Sequence, residues 1–538
     1  MTIFASSGRA GSRRTTNTTN TTTSTTSLLG RCSCPSCMGQ TTPGAAQGFG
    51  MTNLLSLNPS WSGNAVAGNG KVILTSAQAA TQLAREGLSW RTSNNAAPTV
   101  ITYSFYRSNP GTVNFPDEGR GFSIFSAAQA NAARQALALW SSVANIRFVE
   151  VPNVANANIK FGNTTTGPAQ AWAYMPSFSY VQGGSVWINP NQPSNRTLNP
   201  GQYGYLTLVH EIGHALGLDH PGDYNYTPGQ TFSYATQAEY LQDSWQYTVM
   251  SYFSETNTGA NFRGAYASTP MLHDIAAIQS IYGVRTDTRL GNTVYGFNSN
   301  AGVAAYDFRF NTRPVVTIYD NGGLNSLDCS GFGMGNRIDL NPGTFSSVGG
   351  LTNNVAIAEN TIIRRAVGGF GADTFIANDY GCTMEGRGGN DRFYSGIGND
   401  VMLGGIGNSI YYFASSFGRD IVQQDLRGTA TLTFDSARTQ LGFTRSGADL
   451  LVNQLTTGDQ VRLSNFYGRT SAFRFADGSG SFSLTVTSTG ASVAGLVQAP
   501  SSNLVTPPVT GGLSKSVPVS VTPVTVSGNR RAQLAGAA

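Results

Sequence analysis

From Gly368 the chain divides into five consecutive nines: GGFGADTFI, ANDYGCTME, GRGGNDRFY, SGIGNDVML and GGIGNSIYY. No other feature of the sequence narrows the fold as far. The nines follow the template G-G-x-G-x-D-x-U-x, in which glycine turns and an Asp hold a calcium ion and U faces the core of a parallel β-solenoid. Phe375, Met384, Phe393, Met402 and Tyr411 all fall at U, so the core register is kept throughout. Gly368, Gly369, Gly371 and Asp373, then Gly386, Gly388 and Asp391, then Gly396, Gly398 and Asp400, are the candidate calcium-binding positions. Alternate units of such a roll stack on the same edge, so one ion needs Asp from units two apart. Asp373 with Asp391 makes a full pair. Asp400 faces Cys382 and Asp391 faces Ser409, which predicts weak or absent sites there. The expectation is one well-formed calcium site and at most one more. The plain alternative is a calcium-free, glycine-rich solenoid whose sites have decayed.

The second constraint is the run HEIGHALGLDH, from His210 to His220. On a helix, His210 and His214 leave the same face one turn apart, which lets two imidazoles reach one Zn²⁺. Glu211 sits beside the first ligand, placed to act as a base on water rather than to ligate. Gly217 permits a sharp break, after which His220 can close the third corner. A fourth position stays open for water. Zinc makes water acidic near neutral pH and polarises a carbonyl, and Glu211 would take the proton and pass it to a leaving amine. The chain has only four His, and three of them fall inside this window, so ordinary core or surface histidines explain the run poorly. The fourth, His273, reads as a capping or surface residue.

These motifs resemble those of the serralysins, a metzincin family of secreted bacterial zinc proteases with a calcium-binding repeat domain. HExxHxxGxxH is the metzincin signature. HPGDYN (220–225), YTVMSYFSE (247–255), PMLHDIAAIQSIYG (270–283) and NTVYGFNSN (292–300) narrow the group. The resemblance implies that Met250 is a packing floor beneath the metal. It implies that Tyr252 is a further, displaceable zinc ligand whose hydroxyl stabilises the tetrahedral intermediate; a buried structural tyrosine is the alternative. It implies that an extended peptide pairs with an edge strand, for which AWAYM (171–175) is the candidate. It also implies a calcium site between the carbonyls of Arg289, Gly291 and Thr293 and residues Asp320 and Gly322. There the sequence departs from the family, with Asn325 in place of an Asp and Arg364-Arg365 in place of Glu-Asn.

The fold class expected is therefore α+β: a metzincin-type catalytic domain with a mixed sheet and a zinc-binding helix, followed by an all-β parallel roll. Residues 1–50 are Thr/Asn/Ser-rich and read as a disordered tail or pro-segment. The catalytic domain is placed at 51–285, the roll at 286–415, a β-rich haemolysin-type extension at 416–490 and a low-complexity tail at 491–538. Helices are predicted from Thr75 to Gly87, from Ser126 with a Ser126/Gln129 capping box, over Tyr203–Leu218 and from Asp274 to Gly283. Strands are predicted at 101–107, 147–151, 157–162, 171–175 and 185–189.

Cys32, Cys34 and Cys37 lie ahead of the catalytic domain, where serralysins normally lack Cys. One of these thiolates could cap the open zinc position and keep the enzyme latent. A separate metal site, a redox-labile pair or an inert tail are the alternatives. The formal charge of +5 comes without a clustered Lys/Arg stripe, which argues against nucleic acid as a partner. No apolar run reaches the ~20 residues of a membrane span. The N-terminus lacks the apolar stretch of a signal peptide. The resemblance implies export through a type I channel, although GNRRAQLAGAA is not the acidic-then-apolar end common in the family. The reading is a secreted, monomeric zinc endopeptidase acting on proteins and peptides. Its rival is a calcium-dependent surface or adhesion protein on a degenerate protease scaffold, and the intact Glu211 favours the enzyme.

Overall fold

The protein is described by a computed structural model covering residues 65–93, 96–166, 170–225, 231–425 and 427–494, together with the backbone of one strand at Arg31–Ser33. The N-terminal half is built on a mixed sheet. Its strands are β1 (Arg31–Ser33), β2 (Thr99–Phe105), β3 (Phe122–Ser123), β4 (Ile146–Glu150), β5 (Ile159–Thr164), β6 (Ala171–Tyr174) and β7 (Ser185–Ile188). Their order across the sheet is β1-β6-β7-β5-β2-β4, with β3 paired to β5. β4, β2, β5 and β7 run parallel, while β6 is antiparallel to β7 and β1 antiparallel to β6.

The helices are α1 (Ser76–Leu83), α2 (Ala127–Val143), α3 (Tyr203–Ala215), α4 (Tyr234–Gln237) and α5 (Leu272–Tyr282). α1 and α2 each start on a complete capping box, Thr75 with Gln78 and Ser126 with Gln129. These reciprocal bonds satisfy backbone N–H groups that have no partner within the helix. α2 presents Ala132, Ala136, Leu139, Trp140 and Val143 to the core, and Trp140 Nε1 donates to the Val209 carbonyl of α3. Every residue of α3 from Gly204 to Ala215 is buried. A helix enclosed on all sides is fixed by packing rather than by propensity.

From residue 294 onward the chain forms strands. Thr374–Ile376, Arg392–Tyr394, Asn408–Phe413, Thr429–Phe434 and Phe473–Asp477 stack in parallel on one side. Ile363–Val367, Thr383–Glu385, Val401–Gly405, Arg419–Gln424 and Gln460–Leu463 stack on the other. Between them lie the predicted inward residues: Phe375, Phe393 and Tyr411 form a stacked column with ring centroids 4.9 and 5.0 Å apart. Met384 and Met402 are fully buried opposite. The parallel stack runs on past Tyr412, where the nonapeptides end, through Gln460–Leu463 and Phe473–Asp477. Among the described residues no helix is long and apolar enough to cross a membrane.

Two local readings are corrected. His273 is neither a cap nor a surface residue: it lies inside α5, 2% exposed, packed against the rings of Tyr247 and Tyr240. Burial pushes its imidazole down to about 3, so it is neutral at any working pH. Within the tail at 1–50, Arg31–Ser33 is a strand of the catalytic sheet.

Candidate active site and metal centres

α3 ends where the sequence places its break. Gly217 has φ +106°, and a Cβ there would lie 2.1 Å from the Leu88 carbonyl oxygen. Only glycine fits. The Gly217 and Leu218 amides bond back to the carbonyls of His214 and Gly213, and the chain turns to deliver His220. His214 Nε2 then lies 3.0 Å from His210 Nε2 and 3.1 Å from His220 Nε2.

The opposite ring nitrogens are all engaged by the main chain. His210 Nδ1 is 2.7 Å from the Val249 carbonyl, His214 Nδ1 2.7 Å from that of Leu218, and His220 Nδ1 2.9 Å from that of Tyr224. A carbonyl can only accept, so each Nδ1 carries the proton and each Nε2 turns a lone pair inward. Burial, helped by the neighbouring imidazoles, holds His214 and His220 well below the ordinary imidazole range, so they are neutral. Three lone pairs facing one another across about 3 Å repel unless a cation sits among them. This buried triad fits zinc: it is all nitrogen, it offers three donors, and it leaves a fourth position for a reactant.

Around the triad stand the other expected residues. Glu211 is 1% exposed on α3, next to His210. Met250 is fully buried, and a Cβ on Gly213 would meet its sulfur at 2.6 Å, so the methionine packs directly on the helix between His210 and His214. Tyr252 lies edge-on to His220 with ring centroids 4.3 Å apart. Cys34 and Cys37 lie outside the described residues, and Cys32 is placed by its backbone opposite Ala173 of β6.

Two supporting carboxylates were not singled out from sequence. Asp274 accepts from the amides of Val249 and Met271, both at 2.8 Å, and so holds the turn whose carbonyl receives His210. Asp243, fully buried, accepts from Tyr224 Oη at 2.8 Å and Ser251 Oγ at 2.6 Å. It thereby ties the residue whose carbonyl orients His220 to the residue preceding Tyr252. Burial raises Asp274 to about 6 and Asp243 to about 7. Lone aspartates, one in the first turn of α5 and one in a loop, carry no spacing signal, and only the fold gives them partners.

Comparison with known proteins narrows the reading. The Matrixin family profile matches residues 122–243, and the profile for the Peptidase M10 serralysin C terminal matches 284–478. Metallopeptidase AprA of Pseudomonas marginalis is 43% identical over 321 residues, covering 58% of this chain and 67% of that protein. Serralysin of Photorhabdus laumondii is 41% identical over 317 residues (58% and 65%), and serralysin of Proteus mirabilis 42% over 324 residues (57% and 65%). The chain belongs to the serralysin family of M10 metallopeptidases. The match spans about two thirds of each relative's length.

In this chain the roll's acids form two ladders. On one edge Asp373 accepts from the Asn336 and Gly369 amides, and Asp391 Oδ1 accepts from the Asp373 amide at 2.8 Å. On the other edge Asp400 accepts from the Cys382 and Gly396 amides, and Asp420 Oδ1 accepts from the Asp400 amide at 2.8 Å. Asp400 thus faces Cys382 on one side and a second carboxylate on the other. Asp391 Oδ2 and Asp420 Oδ2 are buried without a hydrogen-bond partner among the described residues. Burial raises Asp391 to about 7, Asp400 to about 6 and Asp420 to about 9. Orphaned, buried carboxylate oxygens beside glycine turns fit a hard cation such as calcium. The template glycine is sterically explained: a Cβ at Gly386 would lie 2.1 Å from Asp391 Oδ2, and one at Gly368 2.2 Å from Asp373 Oδ2.

The upstream set is arranged differently. Asp320 accepts from the Gly322 amide and from Tyr295 Oη, and the Arg289 guanidinium lies 3.9 Å from its Oδ2. Asn325 accepts from the Thr293 amide, and the Gly291 carbonyl packs on Gly323. Arg365 pairs with Glu385 at 2.6 Å. Here Arg289 brings the cationic charge that faces Asp320.

Proposed function

We propose that this chain is a secreted zinc endopeptidase that hydrolyses peptide bonds in proteins, with Glu211 as general base. One observation carries the reading: three imidazoles turn their Nε2 atoms to a common centre beside a buried glutamate. His210, His214 and His220 would hold zinc, which supplies a Lewis acid that polarises the scissile carbonyl and acidifies water. Glu211 accepts the proton from that water and returns it to the leaving amine. Tyr252, set edge-on against His220, donates its hydroxyl to the developing oxyanion. Asp243 and Asp274 keep the ligands' carbonyl partners in place.

Calcium in the roll at Asp373/Asp391 and at Asp400/Asp420 is the second part of the proposal, supported by the orphaned oxygens. The Arg289–Asp320 region is a weaker calcium candidate, because a guanidinium already faces the carboxylate. Calcium is scarce inside cells and plentiful outside, so calcium-linked folding of the roll suits a protein that works after export.

The test is casein hydrolysis by the full chain in calcium, beside Glu211→Gln. The substitution keeps side-chain size but removes the base, and activity should fall by about 10²–10⁴-fold with zinc content unchanged. Unchanged hydrolysis would overturn the mechanism. Calcium-dependent folding without hydrolysis in the unsubstituted chain would favour the adhesion alternative.

A further inference from the structure

The strand β6 is held in place on both faces. Its Trp172 Nε1 and Tyr174 Oη both donate to Glu118 Oε1 at 2.9 Å, and Glu118 is 1% exposed. The strand is therefore clamped from one face by a buried carboxylate. On the other face Ala171 and Ala173 belong to the core that also contains α3. The turn after β6 is fixed as well. The Gly184 amide reaches back to the Tyr174 carbonyl, and the buried Lys160 ammonium donates to the carbonyls of Val181 and Gly183. Among the described residues, β1 is the strand of the sheet that lies beyond β6. An edge held this firmly invites a further strand.

The occupant is the chain itself. β1 runs antiparallel along this edge, with Arg31 opposite Tyr174, Cys32 opposite Ala173 and Ser33 opposite Trp172. The segment around it is Thr/Asn/Ser-rich and has no apolar pattern that would bring it to a core. Strand addition needs none, because main-chain hydrogen bonds supply the pairing. α3, which carries His210, Glu211 and His214, packs against β6, the strand whose edge β1 occupies.

We propose that Arg31–Ser33 occupies in cis the edge of β6 on which an extended peptide must pair to be cleaved. The N-terminal segment then acts as a tethered competitor. The inference rests on the peptidase reading, but its structural half can be tested without activity. A segment tethered to its own site is present at an effective concentration in the mM range, enough to exclude substrates of ordinary affinity.

The experiment uses the full chain and two triple variants. Replacing Arg31, Cys32 and Ser33 together by proline removes every β1 donor and prevents pairing. Replacing Cys32, Cys34 and Cys37 by serine removes the thiols and leaves the backbone able to pair. Hydrogen exchange at Ala171 and Ala173, whose amides face away from β7, and cleavage of a short casein-derived peptide are then measured. The proline variant should lose protection at these amides and gain tenfold or more in kcat/KM, while the serine variant keeps its protection. Equal protection in wild type and the proline variant overturns the proposal. Lost protection with unchanged kcat/KM also overturns it, since the edge would then not be the one the substrate uses. If no form cleaves, the peptidase reading fails and a fluorescein-labelled LLGRSSSP peptide decides. Binding to the proline variant but not to wild type upholds occupancy of the edge; equal binding to both refutes it.

Discussion

The helix break at Gly217 bears most directly on how His220 is delivered to the histidine triad, and Gly217→Ala isolates it. At φ +106° an alanine pays backbone strain of about 1–3 kcal/mol. Its Cβ would also sit 2.1 Å from the Leu88 carbonyl oxygen, whereas ordinary contact begins at 3.4 Å. That obstacle is backbone, so relief requires the two segments to part by about 1 Å, a misplacement that can lower activity about 100-fold. Gly87→Ala is the matched control: its φ is +65°, and its Cβ would meet nothing within 4 Å. Both variants suffer strain, but only one carries the clash. Zinc affinity is measured by competition with a chromophoric chelator, and thermal unfolding is followed in parallel. Gly217→Ala should bind zinc at least tenfold more weakly and lose activity well beyond its loss of stability. Gly87→Ala should lose about 1 kcal/mol of stability and keep both zinc and activity. A folded Gly217→Ala protein with wild-type zinc affinity would refute the claim that this turn places His220.

Three further outcomes follow from the same geometry. Asp243→Asn keeps the shape but weakens the bonds from Tyr224 and Ser251, and should cost about 1–3 kcal/mol of stability, read as a lowered unfolding midpoint, with reduced kcat at unchanged zinc stoichiometry. In EGTA the roll should have a pH dependence of definite sign. Asp391, Asp400 and Asp420 titrate at about 7, 6 and 9 when folded, against a usual value of 3.8. The folded state therefore holds extra protons, and the stability they bring is complete below pH ~4 and lost as pH rises through about 6 to 9. The unfolding temperature in EGTA should be higher at pH 5.5 than at pH 8.5, and calcium should remove or reverse the difference. Asp420→Asn should raise that temperature at pH 8.5 in EGTA while shrinking the gain on adding calcium; a uniform loss in both conditions would contradict a cation role for Asp420.

Much of this architecture was legible because the decisive signals are local. The His210/His214 spacing, the Gly217 stop and the Ser126/Gln129 box each act within one helical turn, and α3 and α2 stand where those signals put them. The five core strands were found by alternation to within two residues; the first was expected at 101–107 and spans Thr99–Phe105. What escaped depends on distant partners or on a broken count. Asp373 and Asp391 are 18 residues apart, two nines, whereas Asp400 and Asp420 are 20 apart. The two extra residues hid the second acid pair from a search by nines. His273 was misread because its burial comes from Tyr240 and Tyr247, which no helical periodicity in α5 announces. β1 could not be read at all, since strand pairing through the main chain leaves no side-chain pattern.

The account depends on three imidazoles sharing one metal ion, and metal analysis of the purified full chain tests it most directly. Zinc per chain is measured in the wild type and in His210→Ala, His214→Ala and His220→Ala after dialysis against a weak chelator. One zinc in the wild type, and little or none retained in any of the three variants, is the predicted result. Zinc kept at full occupancy when His220 is absent, or no zinc in the wild type, would contradict it.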